Sequence, residues 1–68
     1  MSLDENIPIW VVTFKWSENG PYCTNLVHAR CSANIDREYD KYPWYDMRWA
    51  RDYEIAPARA KGMPEVWC

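Results

Sequence analysis

Residues 7–16 read Ile-Pro-Ile-Trp-Val-Val-Thr-Phe-Lys-Trp, a run rich in the β-branched and aromatic side chains that strands favour. On a strand, successive side chains point to opposite faces of the sheet. One face of this run would be wholly apolar, with Trp10, Val12, Phe14 and Trp16. The other face grades from apolar Ile9 to charged Lys15. We therefore expect a strand whose even-numbered face lies in the core.

A tight turn and a return strand follow this first strand. Residues 17–21, Ser-Glu-Asn-Gly-Pro, contain an Asn-Gly pair that can adopt positive φ, and a proline closes the segment. This pattern predicts a β-hairpin with the return strand over residues 22–31. The odd-numbered face, from Cys23 to Cys31, is the better candidate for burial, although Leu26 on the other face favours the opposite orientation.

A short amphipathic helix is expected after the hairpin. Ser32 or Asn34 can cap it, because either side chain accepts hydrogen bonds from free N–H groups of the first turn. The apolar stripe at helical spacing consists of Ile35, Tyr39 and Tyr42. Pro43 disfavours helical geometry at the residue before it and should end the helix.

The last third of the chain is less regular in pattern. Residues 44–53 could form a helix opened by Pro43, but apolar and charged residues alternate from Tyr45 to Trp49, and this period of two favours a strand. Residues 53–56 then predict a further short strand. Residues 57–68 contain two prolines and a glycine and are expected to be mostly irregular.

These elements predict one small globular α+β domain over residues 1–68. A β-hairpin and a short amphipathic helix would pack on a small antiparallel sheet with one or two further strands. Residues 1–6 are expected to be a short mobile lead-in.

Composition and charge limit the class of protein. A chain of 68 residues forms one domain at most, and its five Trp, five Tyr and one Phe exclude disorder. The longest uncharged apolar run, Ile7 to Phe14, is far shorter than the about 20 residues that cross a membrane.

Eight basic and ten acidic residues are interspersed, so no basic face for phosphates is expected. The acidic N-terminus does not resemble a secretory signal and predicts a cytoplasmic location.

Side chains that could carry chemistry are few. Three cysteines, an odd number, predict free thiols, although Cys68 could form a disulfide with Cys23 or Cys31. With His28 these cysteines could ligate zinc, but on a strand His28 faces away from Cys23 and Cys31. His28 also lacks an orienting group and a glycine-rich oxyanion loop, so a cysteine nucleophile has no support. We predict no catalytic residue, no metal, no cofactor and no enzymatic activity.

Residues 42–53 concentrate Trp, Tyr and Arg, the residue types that dominate interface hot spots. The hairpin and helix already supply a core of Trp10, Val12, Phe14, Trp16, Ile35 and Tyr39. Part of the aromatic segment should therefore be exposed, and an exposed aromatic and Arg patch is typical of a protein-binding surface. The candidate partner-binding residues are Tyr42, Trp44, Arg48, Trp49 and Arg51.

Two other partners fit the same segment. Aromatic and Arg side chains also stack single-stranded bases, so a single-stranded nucleic-acid-binding domain is the alternative function, against which the charge distribution argues. A homodimer formed through this segment and an open sheet edge is a further alternative to a separate protein partner.

The pattern over residues 9–56 resembles a group of known small proteins. A WVVTFKW strand, an Asn-Gly turn, a second strand ending LVHARC, a Ser or Asn cap and a short helix look like the compact ββαβ proteins of phages and mobile elements. Several anti-CRISPR and other host-takeover inhibitors are of this type. The resemblance implies a protein that occupies a surface of a larger host complex. The net charge of -2 departs from the strongly acidic members that mimic DNA.

Overall fold

The computed structural model describes residues 7–68, so the lead-in expected over residues 1–6 lies outside the described residues. The elements in order are β1 (Ile9–Lys15), β2 (Tyr22–His28), α1 (Ser32–Tyr39), β3 (Trp44–Trp49), α2 (Asp52–Ala60) and β4 (Glu65–Trp67). The strands form one sheet in the order β3-β1-β2-β4. The expected α+β fold is confirmed, but the sheet is mixed: β1 pairs antiparallel with β2 and β3, whereas β4 pairs parallel with β2.

The hairpin of β1 and β2 forms as expected, and its turn is closed by a 3.0 Å hydrogen bond from the Gly20 N–H to the Ser17 carbonyl. The Asn-Gly pair does not use the positive φ that it can adopt, because within residues 7–68 only Gly62 has positive φ. The even-numbered face of β1 is buried at Trp10, Val12 and Phe14.

Trp16 was expected in the core, but its side chain is 65% exposed. It lies beyond the last cross-strand pair of the hairpin, Lys15 with Tyr22, so no neighbouring strand flanks it. Its ring meets those of Phe14 and Tyr42 edge to face and covers them from the solvent side.

Helix α1 packs on the even-numbered face of β1, which we call the α1 face of the sheet. Ile35 and Tyr39 are its buried residues, as the helical spacing predicts. The N-cap is neither Ser32 nor Asn34 but Cys31, whose extended backbone makes no side-chain cap. The helix ends at Tyr39, before Pro43 could end it.

Helix α2 replaces the short strand expected over residues 53–56. Its first turn is held by the Glu54 carboxylate, which accepts a 2.8 Å hydrogen bond from the Arg51 N–H. Pro57 lies inside the helix, where it removes the single hydrogen bond to the carbonyl of Tyr53. Alanines on either side of Pro57 favour the helical backbone.

Gly62 ends α2 and is the reason that residues 57–68 are not irregular. With a φ of 80° it allows the Met63 N–H to reach the Ala58 carbonyl at 3.0 Å and its own N–H to reach the Arg59 carbonyl at 3.0 Å. This is the Schellman arrangement, in which a glycine after the helix satisfies its last carbonyl groups. The chain then enters β4, where Val66 packs against the core.

The opposite side of the sheet, which we call the α2 face, is also partly buried. Ala58 of α2 is buried, and Leu26 of β2 is fully buried although it points away from α1. Both alternatives for β2 are therefore correct in part, since Val27 on the odd-numbered face and Leu26 on the other are both buried.

Replacing Leu26 with Ala tests the burial of the α2 face. We expect a loss of about 2–5 kcal/mol in the free energy of unfolding, as is typical of buried Leu truncations. Urea denaturation measures it, with Arg37→Ala on the exposed side of α1 as the control, for which we expect a change within about 0.5 kcal/mol. A Leu26→Ala change as small as that of the control would show that α2 does not cover the sheet.

Candidate interaction surface

The candidate partner-binding residues do not form one patch. Trp44 and Arg48 project from the α2 face of β3, whereas Trp49 projects from the α1 face. Tyr42 precedes β3 and Arg51 follows it. The alternation of side chains along the strand separates residues that are close in sequence.

Trp44 is part of an aromatic platform at one end of the α2 face, together with Lys15 and Tyr22. Lys15 is the cross-strand partner of both aromatic residues, so the three side chains lie side by side on β3, β1 and β2. The Trp44 and Tyr22 rings meet edge to face at 5.3 Å, and the Lys15 Nζ lies 4.9 Å from the Tyr22 ring centroid. Trp44 is 43% exposed and Tyr22 is 65% exposed. The platform is therefore an ordered aromatic surface in contact with solvent.

A cavity of 380 Å³ lies on the same face, between the sheet and α2. Its apolar lining comes from Val11, Leu26, Pro57, Ala58 and Met63. Thr24, on the strand that also carries Tyr22, contributes to its wall, and Tyr53, Arg48 and Lys61 lie at the lining as well. The α2 face thus presents an apolar recess and an exposed aromatic pair.

Arg48 connects β3 to α2 and already has an acidic partner within the chain. Its guanidinium donates two hydrogen bonds to Glu54, Nη1 to Oε2 at 2.8 Å and Nη2 to Oε1 at 2.7 Å. These bonds, with the one from the Arg51 N–H, lower the pKa of Glu54 to about 2. The pair fixes the start of the helix that forms one wall of the cavity.

The remaining three candidates, Tyr42, Arg51 and Trp49, make contacts in different parts of the structure. Tyr42 is half-buried and packs with its ring centroid 4.7 Å from that of Phe14, so it belongs to the core. The Arg51 side chain donates to the Tyr53 hydroxyl at 3.0 Å. Trp49 is 67% exposed and contacts Trp10 edge to face at 5.7 Å. Of the five candidates, Trp44 and Arg48 alone share the α2 face, and Trp49 remains exposed beside the outer edge of β3.

Tyr22 and Lys15 are the surface residues that the sequence analysis missed. The expected turn over residues 17–21 would pair Trp16 with Tyr22, whereas in the structure the six residues 16–21 connect the strands and Lys15 lies opposite Tyr22. The pairing of Lys15 with Trp44 depends on β3 returning beside β1, which local patterns do not contain.

The possible zinc ligands are separated by the fold. His28 lies on the α2 face, where its ring stacks on Trp67 at 4.2 Å and its Nε2 lies 3.0 Å from a Glu65 carboxylate oxygen. Arg59 donates to the same carboxylate and, with His28, lowers the pKa of Glu65. The three cysteines are free thiols. Within residues 7–68 no group of three or more His, Cys, Asp or Glu side chains could hold a metal ion.

No protein-family model, no curated protein and no solved structure matches this chain. No helix within residues 7–68 is long and apolar enough to cross a membrane. The function proposed below therefore rests on the geometry of the α2 face.

The contact between Arg48 and Glu54 predicts a pH dependence of stability. Glu54 has a pKa of about 2 in the folded chain against an ordinary value of 4.5, so its contribution is fully present above pH 4.5 and is lost as the pH falls toward 2. Carboxyl NMR titration measures this pKa directly. Arg48→Ala should return it toward 4.5, and a Glu54 that titrates at its ordinary value in the parent protein would contradict the ion pair.

Proposed function

We propose that this protein is a small non-enzymatic interaction module that binds a protein partner through the α2 face. The binding surface consists of the aromatic platform of Lys15, Tyr22 and Trp44 and the neighbouring 380 Å³ cavity. The single observation that carries this proposal is the exposed pair of Trp44 and Tyr22, held beside an apolar recess on a rigid sheet.

The composition of this surface supports a protein as the partner. Trp, Tyr and Arg dominate protein hot spots, which are centred on well-packed pockets that exclude water. The cavity can receive one apolar side chain of the partner, and the exposed rings of Trp44 and Tyr22 would contact the partner next to it, at one end of the face. The charged residues at the cavity would lie at the polar rim of such an interface; they are Arg48, Glu54 and Lys61.

The mode of action that fits this surface is occlusion of a site on a larger complex, as the resemblance to phage inhibitors implies. A net charge of -2 provides little long-range steering, so affinity would come from the apolar contact and depend weakly on salt. The three free thiols support a reducing, cytoplasmic environment.

Capture of partners from the source cell, followed by calorimetry with the isolated partner, tests this proposal. Trp44→Ala and Tyr22→Ala should each weaken binding by tenfold or more, because each removes a ring expected at the centre of the interface.

The matched control is Trp16→Ala, which removes an equally exposed aromatic side chain that contacts Phe14 and Tyr42 instead of the platform. Urea denaturation confirms that each variant folds. A partner that binds both platform variants as tightly as the parent, or that loses affinity only with the Trp16 variant, would overturn the proposal.

A second candidate is a domain that binds single-stranded nucleic acid on the same platform. The observation in its favour is that two aromatic side chains lie on an open sheet face next to Lys15, where bases could stack. Stacking of a base on an aromatic side chain is worth about 1–3 kcal/mol and tolerates any sequence.

Titration of labelled single-stranded DNA and RNA at two salt concentrations tests this candidate. If it is correct, binding weakens as salt rises and is lost in Lys15→Ala and Trp44→Ala, with Lys41→Ala beside Tyr42 as the charge-matched control. Absence of salt-sensitive binding by the parent protein would remove this function and leave the protein-binding proposal in place.

A further inference from the structure

The outer edge of β3 is a free strand edge within the described part of the chain. In the strand order β3-β1-β2-β4, β3 has one neighbour, β1, and no strand of residues 7–68 lies on its other side. The opposite edge of the sheet is β4, which is three residues long, whereas β3 has six. Long exposed edges readily pair with another chain, and natural proteins usually cover them.

The backbone groups open at this edge follow from the ladder with β1. Ala50 donates its N–H to the Ile9 carbonyl at 2.9 Å, so its backbone polar groups point toward β1. Backbone groups alternate in direction along a strand. The free edge therefore presents the N–H and C=O groups of the three odd-numbered residues, Tyr45, Met47 and Trp49.

We propose that this edge pairs antiparallel with the same edge of a second copy of the chain, with Met47 opposite Met47 at the two-fold axis. Tyr45 of each copy then lies opposite Trp49 of the other. All three odd-numbered residues exchange backbone hydrogen bonds, because each pair joins residues whose polar groups point outward. The two sheets become one continuous sheet across the axis.

Charge selects this register among those that the backbone allows. It places Asp46 of each copy opposite Arg48 of the other in non-hydrogen-bonded pairs, where facing side chains are closest. A shift of the second copy by two residues in one direction sets Asp46 against Asp46, and in the other direction sets Arg48 against Arg48. Asp46 makes no ion pair with any residue of 7–68, so its carboxylate is available for this contact.

The same register gives the exposed indole of Trp49 a place to pack. On the α1 face, Trp49 would lie beside Tyr45 of the other copy, whose hydroxyl is held by Asp36 at 2.6 Å. Met47 of both copies would meet between these aromatic pairs. Pairing thus covers apolar side chains on one face and matches opposite charges on the other.

The dimer and the proposed recognition surface share Arg48, which lies at the cavity, but the dimer contacts include neither Tyr22 nor Trp44. The two-fold axis runs perpendicular to the sheet, so both copies keep their α2 faces on the same side. Loss of partner binding in Trp44→Ala and loss of the dimer in an edge variant are therefore separate results.

Light scattering after size-exclusion chromatography tests the association. We expect the measured mass of the parent to be twice the chain mass of 8.2 kDa. The measured mass of Asp46→Arg should be that of a single chain, because the introduced guanidinium would face Arg48 of the other copy. Mixing Asp46→Arg with Arg48→Asp should restore a dimer. In the mixed dimer, position 46 of each chain faces position 48 of the other, and both facing pairs join a guanidinium with a carboxylate. Glu38→Arg, with the same charge change on exposed α1, should remain dimeric.

Two further measurements do not require a change at Arg48, whose loss removes the Glu54 pair. A chemically synthesised chain with an N-methylated Met47 amide keeps every side chain but blocks the central backbone contact, and it should be monomeric. In an equimolar mixture of labelled and unlabelled chains, isotope-filtered spectra should show a contact between the Asp46 and Arg48 α-protons of different copies.

Three results would overturn the inference. They are a monomeric parent across the soluble concentration range, a dimer that survives both Asp46→Arg and N-methylation of Met47, and intermolecular α-proton contacts of another register, such as Asp46 with Asp46 or Arg48 with Arg48.

Discussion

The position of β1 at the centre of the sheet constrains the rest of the fold. Both of its neighbours pair antiparallel with it, so β2 and β3 run in the same direction, and the chain can reach β3 from β2 only by crossing the sheet. It crosses back to place β4 parallel to β2. Parallel crossovers are almost always right-handed, and two crossovers of one hand that move in opposite directions place their helices on opposite faces. For this reason α1 and α2 lie on opposite faces, and Val27 and Leu26 are buried on opposite sides of β2.

The helices are too short to cover the sheet that they flank. An α-helix rises about 1.5 Å per residue, so α2 with nine residues is about 13 Å long. A strand rises about 3.3 Å per residue, so β1 with seven residues is about 23 Å long. One end of the α2 face is therefore left uncovered, and it is the end that carries Lys15, Tyr22 and Trp44. Because α2 is shorter than the strands, some of the aromatic residues that make the composition unusual are exposed at this end of the face.

Local patterns in the sequence were sufficient for the hairpin, α1 and β3. They are set by alternation, turn residues and helical spacing, each within about ten residues of chain. The prediction for residues 57–68 failed because proline and glycine were interpreted by the irregular structure in which they usually occur. The prolines and the glycine of residues 57–68 predicted an irregular segment, but Pro57 lies inside α2 and Gly62 caps that helix. The partner-binding set failed in part because it grouped residues by sequence proximity. Trp44 and Trp49 share β3 but face opposite sides of the sheet, whereas Tyr22 reaches Trp44 across β1.

The two layers on the sheet are held by different interactions, and the cavity of the proposed binding surface lies under the weaker one. Helix α1 buries Ile35 and Tyr39 completely or nearly so, whereas Ala58, at 9% exposure, is the only buried residue of α2. What holds the start of α2 is the pair of Arg48 with Glu54, which is partly exposed and therefore weaker than buried apolar packing. Local opening begins where few apolar contacts are buried. We therefore expect α2 to open before α1, and a partner that fills the cavity would add apolar contact to α2.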